Sequence, residues 1–507
     1  VSAVRRRLGE PHLGELLAGL AALPPVHDRP VSGLASDSRA VAVGDVFFAC
    51  RGVRTSGEQH VDEALAAGAV AIVRAGVPGV AALANGTPVI TVADLGACMG
   101  AVAHRFYGEP SAGLRVVGVT GTNGKTSVAQ FLAGALSAAG PGEGYAACGV
   151  IGTLGYGLYG DVHAGLHTTP EVLSSHRLLA EMRAAGARHA VMEVSSHGLD
   201  QGRVAGVRFD TAVFTNLTRD HLDYHPDMTA YGAAKRRLFE CPGLRAAVLN
   251  RDDPFGRELA AALSGTPRII TYGLDEGAGG AHPHLAGRLL EATPGGLVLE
   301  VRGPWGEQRL SAPLVGAFNA ANLLAALAAL VALDIPFEQA VAVLARAVPV
   351  PGRMQPLGGG ARPLVVVDYA HTPEALRSAL RAVRAHCRGR LWCVFGCGGE
   401  RDRGKRPLMG AIAAAEADSL VLTDDNPRGE DGTRIIQDIL GGLPAGTVVT
   451  VQRERAAAIR HAVNVAVADD VILVAGKGHE PYQEAAGVRR PFSDAAAAAA
   501  ALEDTAP

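Results

Sequence analysis

The stretch Val116-Val-Gly-Val-Thr-Gly-Thr-Asn-Gly-Lys-Thr126 decides the fold. Apolar residues from Leu114 to Val119 read as a buried strand. A glycine-rich turn closes on Gly124-Lys125-Thr126, and a helical pattern follows at once over Ser127 to Ala139. Strand, glycine turn and helix in that order form the layout of a phosphate-binding loop. Backbone N–H groups of Gly121, Thr122, Asn123 and Gly124 cradle phosphate oxygens at a helix N-terminus. Lys125 reaches the outer phosphates, and the Thr126 hydroxyl suits Mg²⁺. The loop is a variant, with Val119 where the common form has its first glycine and glycines at 118 and 121 instead. Nucleotide chemistry on an α/β sheet is the expectation.

Working outward, residues 1–108 read as a small α/β unit of short strands and helices. Residues 109–348 alternate apolar strands (Ala190–Val194, Thr211–Thr215, Ala246–Asn250) with helical patterns, which argues for a mainly parallel sheet with helices on its faces. Residues 349–507 repeat the βα pattern at Pro363–Asp368, Leu391–Phe395, Ser419–Thr423 and Asp470–Val474, as a doubly wound, Rossmann-like domain does. The alanine-rich run Ala495–Ala501 reads as a terminal helix.

Composition narrows the function classes. The chain of 507 residues is 48% hydrophobic and 19% charged, enough to bury a large core in several domains. A net charge of −3 offers no global attraction to nucleic acid or anionic membrane. The densest apolar run, Leu323–Leu333, is too short to span a bilayer. The basic residues near the N-terminus have no apolar segment behind them, so a cytoplasmic protein is expected. The seven cysteines contain no C-x-x-C pair and read as reduced, mostly buried thiols.

Polar clusters recur where strands end. Glu193-Val-Ser-Ser-His197 places an acid suited to a metal at one strand terminus. Asn216 to His225 follows the next strand. Its H-x-x-x-H spacing suggests zinc, but the Glu that a zinc helix carries beside its first His is missing, so service to Mg²⁺ and phosphate is the better reading. Lys235, inside the helical segment Tyr231–Phe239, is by itself a surface lysine. In the last domain, clusters stand at Asp368–Pro373, Gly396–Lys405, Thr423–Arg428 and Ala475–Glu480. Guanidinium, carboxylate and amide groups in such number fit a zwitterionic ligand.

Taken together, these motifs resemble the Mur ligase family, in particular members that add the third residue of the peptidoglycan stem peptide. The match includes His167-Thr-Thr-Pro170, Phe318-Asn-Ala-Ala-Asn322, Gly352-Arg-Met354, Asp425-Asn-Pro-Arg428 and Gly476-Lys-Gly-His-Glu480. The resemblance implies three domains, binding in turn a UDP-sugar (1–108), ATP (109–348) and the incoming amino acid (349–507). It implies ATP-driven amide formation on the γ-carboxylate of UDP-N-acetylmuramoyl-L-alanyl-D-glutamate through an acyl phosphate.

The resemblance also distributes roles. Lys125, Lys235, Glu193 and His221 would be catalytic, with Thr126, Glu193 and His221 on Mg²⁺ and Lys235 carrying a carbamate. Asn319, Arg353, Asp368 and His371 would join the loop in holding ATP. Ser38, Thr168, Thr169, Ser195 and Arg203 would contact the UDP-muramoyl dipeptide. Arg401, Asp425, Asn426, Arg428, Gly476 and Glu480 would hold the amino acid. Members with the Asp-Asn-Pro-Arg form take diaminopimelate. Arg428 would meet its distal carboxylate and Glu480 its distal ammonium, a preference over lysine of about 10²- to 10⁵-fold. A monomer is expected, with small molecules as its partners.

Other readings stand beside this one. They are a paralogous Mur-type ligase with another acidic acceptor, lysine or another amino acid, a nucleotide-driven switch, and a zinc hydrolase on His221 and His225. Pro481 and the segment Pro491-Phe-Ser-Asp494 depart from the family pattern and bear on the tail.

Overall fold

The phosphate-loop strand is Arg115–Thr120, and its neighbours on both sides are parallel. The computed structural model describes residues 10–51, 56–139, 147–263, 267–274, 283–293 and 295–504; the segment 1–9, where the basic N-terminus was read, lies outside them. The chain divides into two compact units, Val1–Thr271 with Ala328–Asp334, and Tyr272–Leu327 with Ile335–Pro507. Among the described residues no helix is long and apolar enough to cross a membrane.

The first unit holds two sheets. In the N-terminal one, Gly33–Ala35, Asp45–Phe48, Ala71–Ala75 and Pro88–Val92 run parallel in that spatial order, with Gly79–Ala82 antiparallel at the edge. Alternate residues of Asp45–Phe48 enter different cores: Val46 and Phe48 pack with helix Leu95–Phe106, Phe47 with Ala64 and Ile72. Val172 and Leu173 of helix Val172–Ala184 join the first of these cores, so the N-terminal sheet is continuous in packing with the next layer.

The central sheet places Ala246–Asn250, Thr211–Phe214, Arg115–Thr120, His189–Glu193 and Gly149–Gly152 side by side and parallel. Gly155–Leu158 and Asp161–His163 continue it antiparallel. The chain starts at Arg115–Thr120, steps out to Gly149–Gly152, returns through His189–Glu193, then crosses to Thr211–Phe214 on the other side. That reversal opens a crevice at the carboxyl ends of the strands, where such sheets bind ligands.

In the second unit, Leu285–Thr293, Gly296–Gly303 and Gly306–Ala312 form an antiparallel meander. This departs from the parallel alternation expected over 109–348. The cause is legible afterwards: Leu297, Leu299 and Val301 are buried while Glu300 between them is not, the period-2 pattern of a sheet with one wet face. The last domain has the expected doubly wound form, in the order Gln355–Gly358, Leu364–Asp368, Val471–Ala475, Leu391–Phe395, Ser419–Leu422, Val449–Val451. All pairs are parallel except the first. Leu364 and Val366 face one core with helices Pro373–Arg384 and Lys405–Glu416. Val365 and Val367 face another with helices Arg455–Val465 and Asp494–Asp504.

Candidate active site

The glycine turn of the first unit is shaped by two backbone demands. Gly121 has φ 149° and Gly124 φ 84°, conformations that L side chains rarely adopt. A Cβ on Gly121 would fall 1.8 Å from Thr215 Oγ1. Thr215 Oγ1 donates to Asn123 O at 2.6 Å, and Asn123 N donates to Asn216 Oδ1 at 2.9 Å. The neighbouring strand thus clamps the loop. Helix Lys125–Ala138 starts at Gly124 without a side-chain cap, leaving its first N–H groups for an anion. Lys125 Nζ folds back onto the carbonyls of Gly121 and Thr122, both at 2.8 Å.

Glu193 ends its strand fully buried. Its carboxylate accepts from Thr126 Oγ1 at 2.9 Å, Thr153 N at 2.8 Å and Thr153 Oγ1 at 3.1 Å. Hydroxyl and carboxylate oxygens in direct contact are the hard donors that Mg²⁺ prefers. Thr153 had no signal in the sequence; only the sheet brings its loop beside Glu193. Thr168 Oγ1 lies 3.1 Å from Thr153 Oγ1, which ties the His167–Pro170 motif to the same spot. Thr169 Oγ1 donates to Glu193 O at 2.9 Å and accepts from Ser195 N at 3.0 Å. Ser195 Oγ caps the following helix through Gly198 N, also at 3.0 Å. Arg203 Nη1 donates to Thr169 O at 2.9 Å. Four of the five dipeptide candidates are therefore one connected group. Ser38 stands apart in the N-terminal sheet's domain, donating to Glu63 Oε2 at 2.9 Å.

Lys235 is not a surface lysine. It lies 1% exposed in the last turn of helix Met228–Arg236, with Nζ 4.3 Å from the Tyr231 ring centroid. Burial, then the Lys125 charge, drives its amine well below the usual lysine range. His221 holds a left-handed backbone at φ 53°, uncommon outside glycine and typical of functional turns. Burial lowers its pKa, opposed by Asp220 and assisted by Lys125 and Lys235. The rings of His197 and His221 meet edge to face at 4.9 Å, and burial brings His197 down to about 4. His225 Nε2 is engaged with Ser196 Oγ at 3.0 Å. Among the described residues no group of three or more His, Cys, Asp or Glu is arranged to hold a metal ion, so a zinc centre on His221 and His225 has no third ligand.

In the second unit, Asp368 Oδ2 accepts from Met354 N and Oδ1 from Ala370 N, each at 2.9 Å. Burial raises its pKa against the pull of Arg353. Arg353 stacks 4.5 Å above the Tyr369 ring, and the rings of Tyr369 and His371 meet with centroids 4.6 Å apart. Asn319 is buried, donating to Val315 O at 2.8 Å and accepting from Asn322 at 2.9 Å.

The amino-acid candidates converge around Asn426. Its Nδ2 donates to Glu480 Oε2 at 2.8 Å, and its Oδ1 accepts from Lys477 Nζ at 3.0 Å and Glu484 N at 2.9 Å. A Cβ on Gly476 would meet Asp425 Oδ2 at 2.4 Å. Arg428 is left-handed at φ 53°. Its Nη1 donates to Gly399 O at 2.7 Å, and among the described residues no carboxylate pairs with it. Arg401 is exposed and makes no hydrogen bond with this group. Lys477, Glu484 and the buried pair Arg455–Asp494 were not singled out from sequence. Arg455 donates to Asp494 at 2.7 and 2.8 Å and to Ala475 O at 2.9 Å, bracing the strand end before Gly476.

Comparison with known proteins gives three family matches: the Mur ligase middle domain over residues 119–330, the Mur ligase glutamate ligase domain over 352–478, and the Mur ligase family catalytic domain over 30–107. The chain is 53% identical over 488 residues to the UDP-N-acetylmuramoyl-L-alanyl-D-glutamate–2,6-diaminopimelate ligase of Alkalilimnicola ehrlichii, covering 95% of this chain and 96% of the relative. It is 50% identical over 475 residues to the enzyme of the same name from Pseudomonas aeruginosa, covering 94% and 96%. A solved structure of a ligase of that name superposes with a TM-score of 0.73 at 35% identity, covering 98% of this chain and 99% of the other.

Proposed function

The chain belongs to the Mur ligase family, and on that premise we propose that it is the ATP-dependent ligase of peptidoglycan biosynthesis that joins diaminopimelate to UDP-N-acetylmuramoyl-L-alanyl-D-glutamate. The observation that carries the choice of amino acid is Arg428, a half-buried guanidinium with a carbonyl for partner and, among the described residues, no carboxylate. A ligand whose far end bears both carboxylate and ammonium meets Arg428 and Glu480 together. Lysine would leave the guanidinium without its anion, which disfavours it by about 3 kcal/mol or more, the ~10²-fold end of the expected range.

The chemistry needs an activated acyl group, because a carboxylate alone resists amine attack. A γ-carboxylate oxygen of the D-glutamate attacks the γ-phosphorus of ATP, the bond to the bridging oxygen breaks, and ADP leaves. The amine then attacks the acyl carbon, the carbon–oxygen bond to phosphate breaks, a proton is lost from nitrogen, and phosphate departs. In this reading Lys125 exchanges its loop carbonyls for phosphate oxygens and offsets their charge. Gly121 to Gly124 supply backbone donors, and Asn319, Arg353, Asp368 and His371 hold the nucleotide. Thr168, Thr169, Ser195 and Arg203 orient the dipeptide, with Ser38 toward its UDP-sugar end. Arg401, Asp425, Asn426, Gly476 and Glu480 frame the amino acid beside Arg428. Thr126, Glu193 and His221 would hold Mg²⁺, whose charge stabilises the transferring phosphoryl group when bound. Lys235, whose amine burial drives well below the usual lysine range, would carry the carbamate formed with CO₂.

The functional division 1–108, 109–348 and 349–507, a cytoplasmic setting and a monomeric state belong to the same proposal. The test is ADP release with the UDP-muramoyl dipeptide, ATP and Mg²⁺, offering meso-diaminopimelate, LL-diaminopimelate or L-lysine, with products identified by mass. Turnover with a diaminopimelate isomer and little with lysine supports the reading. Robust lysine turnover overturns the argument from Arg428. No turnover from folded, ATP-binding protein overturns the proposal.

A further inference from the structure

Lys477 is fully buried and belongs to none of the roles above. Its Nζ donates to Asn426 Oδ1 at 3.0 Å and to Glu480 Oε2 at 3.2 Å, and lies 5.6 Å from the Tyr482 ring centroid. These contacts remove an ambiguity that a lone asparagine would keep. An amide can turn over and exchange its oxygen for its NH₂ group. Here two donors, Lys477 Nζ and Glu484 N, converge on one end of the Asn426 amide. That end must be the oxygen, so the NH₂ end points at Glu480 Oε2, 2.8 Å away. Turned over, the NH₂ group would face an ammonium and a backbone N–H inside a dry site, and Glu480 would lose a donor.

Glu480 is fixed by the same arrangement. Both donors fall on Oε2, and among the described residues none donates to Oε1, which leaves that oxygen available to a ligand. The connection reaches Arg428 as well. Gln483 Nε2 donates to Asp425 O at 2.9 Å, and Glu484 N to Asn426 Oδ1 at 2.9 Å; these dock the small hairpin of Tyr482–Ala485 and Val488–Pro491 against the motif. From the docked hairpin, Glu484 O accepts Arg428 N at 3.0 Å, and Ala486 N donates to Arg428 O at 2.6 Å. Both backbone groups of the left-handed Arg428 are thereby held.

We propose that Lys477 is a positioning residue for acceptor selection: it sets the Asn426 amide, and through it Glu480 Oε1 and the hairpin that seats Arg428, to receive a distal ammonium and a distal carboxylate at once. The proposal rests on the reading that this cluster takes the amino acid. The hydrogen bonds of Lys477 go to Asn426 and Glu480 of the amino-acid cluster, so its loss should act on the Michaelis constant of that substrate.

The test compares wild type with Lys477→Met, Lys477→Ala and Lys477→Gln, folding being checked by circular dichroism and thermal melting. Wild type must first turn over a diaminopimelate isomer; if it does not, the underlying function fails and not this step. Given that activity, Lys477→Met should raise KM for diaminopimelate by about 10²-fold. kcat and the KM values for ATP and the UDP-dipeptide should stay within about threefold of wild type. The preference over lysine should shrink by about tenfold or more. Lys477→Gln, which keeps an N–H donor for Asn426 Oδ1, should fall between. Ethylammonium added to Lys477→Ala should lower KM for diaminopimelate again, a rescue that a merely structural lysine would not show. An unchanged KM for diaminopimelate in a folded variant, or an equal rise in all three KM values, overturns the proposal. If Lys477→Met does not fold, the Gln variant decides by the same criteria.

Discussion

Replacing Asp494 by alanine should destabilise the C-terminal domain far more than loss of an ordinary ion pair. Arg455 and Asp494 are both 0% exposed and joined by two hydrogen bonds of 2.7 and 2.8 Å. Removing one member of a buried pair leaves an uncompensated charge and costs about 3–5 kcal/mol. The bonds from Arg455 to Ala475 O at 2.9 Å and Asp424 O at 3.4 Å survive the change and place the loss in the lower part of that range. Asp494 is also the first residue of helix Asp494–Asp504, and its charge there contributes about 0.3–1 kcal/mol. A loss of about 4 kcal/mol lowers the melting temperature of a domain of this size by roughly 10 °C. Differential scanning calorimetry of the two proteins reads that shift. The paired replacement Arg455→Met with Asp494→Leu removes both charges and should recover to within about 1 kcal/mol of wild type. Because Arg455 holds the carbonyls just before Asp425 and Gly476, Asp494→Ala should also raise KM for diaminopimelate. A loss below about 1 kcal/mol in the single variant, or an equal loss in the double one, would refute the reasoning. The first outcome means the pair is solvated; the second means packing, not an orphan charge, was lost.

Four further outcomes are expected. His176 is buried against Ala205 O, and burial lowers its pKa from 6.5 to about 4. The unfolded chain therefore binds its proton first, and stability present above pH 6.5 falls between there and pH 4 by on the order of 3 kcal/mol; His176→Gln should flatten that part of a stability–pH curve. Gly121→Ala should weaken ATP binding by about 10²-fold in calorimetric titration, since the new methyl group overlaps Thr215 Oγ1 and the loop must shift. Arg428→Met should cut the preference for diaminopimelate over lysine by on the order of 10²-fold, read as a ratio of kcat/KM values. Carbon-13 bicarbonate should give a carbamate resonance in wild type that Lys235→Gln lacks; equal spectra would remove Lys235 from that role.

Much of the chemistry was local enough to read in one dimension. A glycine-rich turn between a strand and a helix is a short local run, and helix Lys125–Ala138 does start at Gly124, with Thr126 Oγ1 2.9 Å from the Glu193 carboxylate. The parallel alternation of strands was legible because buried strands are continuous apolar runs. The meander over Leu285–Ala312 was missed because the alternation of a half-wet antiparallel sheet is a weaker signal than a continuous apolar run, and here it runs straight into helices Phe318–Ala332 and Phe337–Leu344.

The sequence by itself determined the fold class, the nucleotide loop and the order of the polar clusters, because each rests on neighbours in the chain. Tertiary structure alone decided which polar groups are dry and what they touch. It turned Lys235 from a surface residue into a buried amine, brought Thr153 to Glu193, and paired Arg455 with Asp494 across 39 positions. It also enclosed Lys477 between Asn426 and Glu480. Burial and long-range pairing set the charge state and orientation of a side chain, and neither is a property of local sequence.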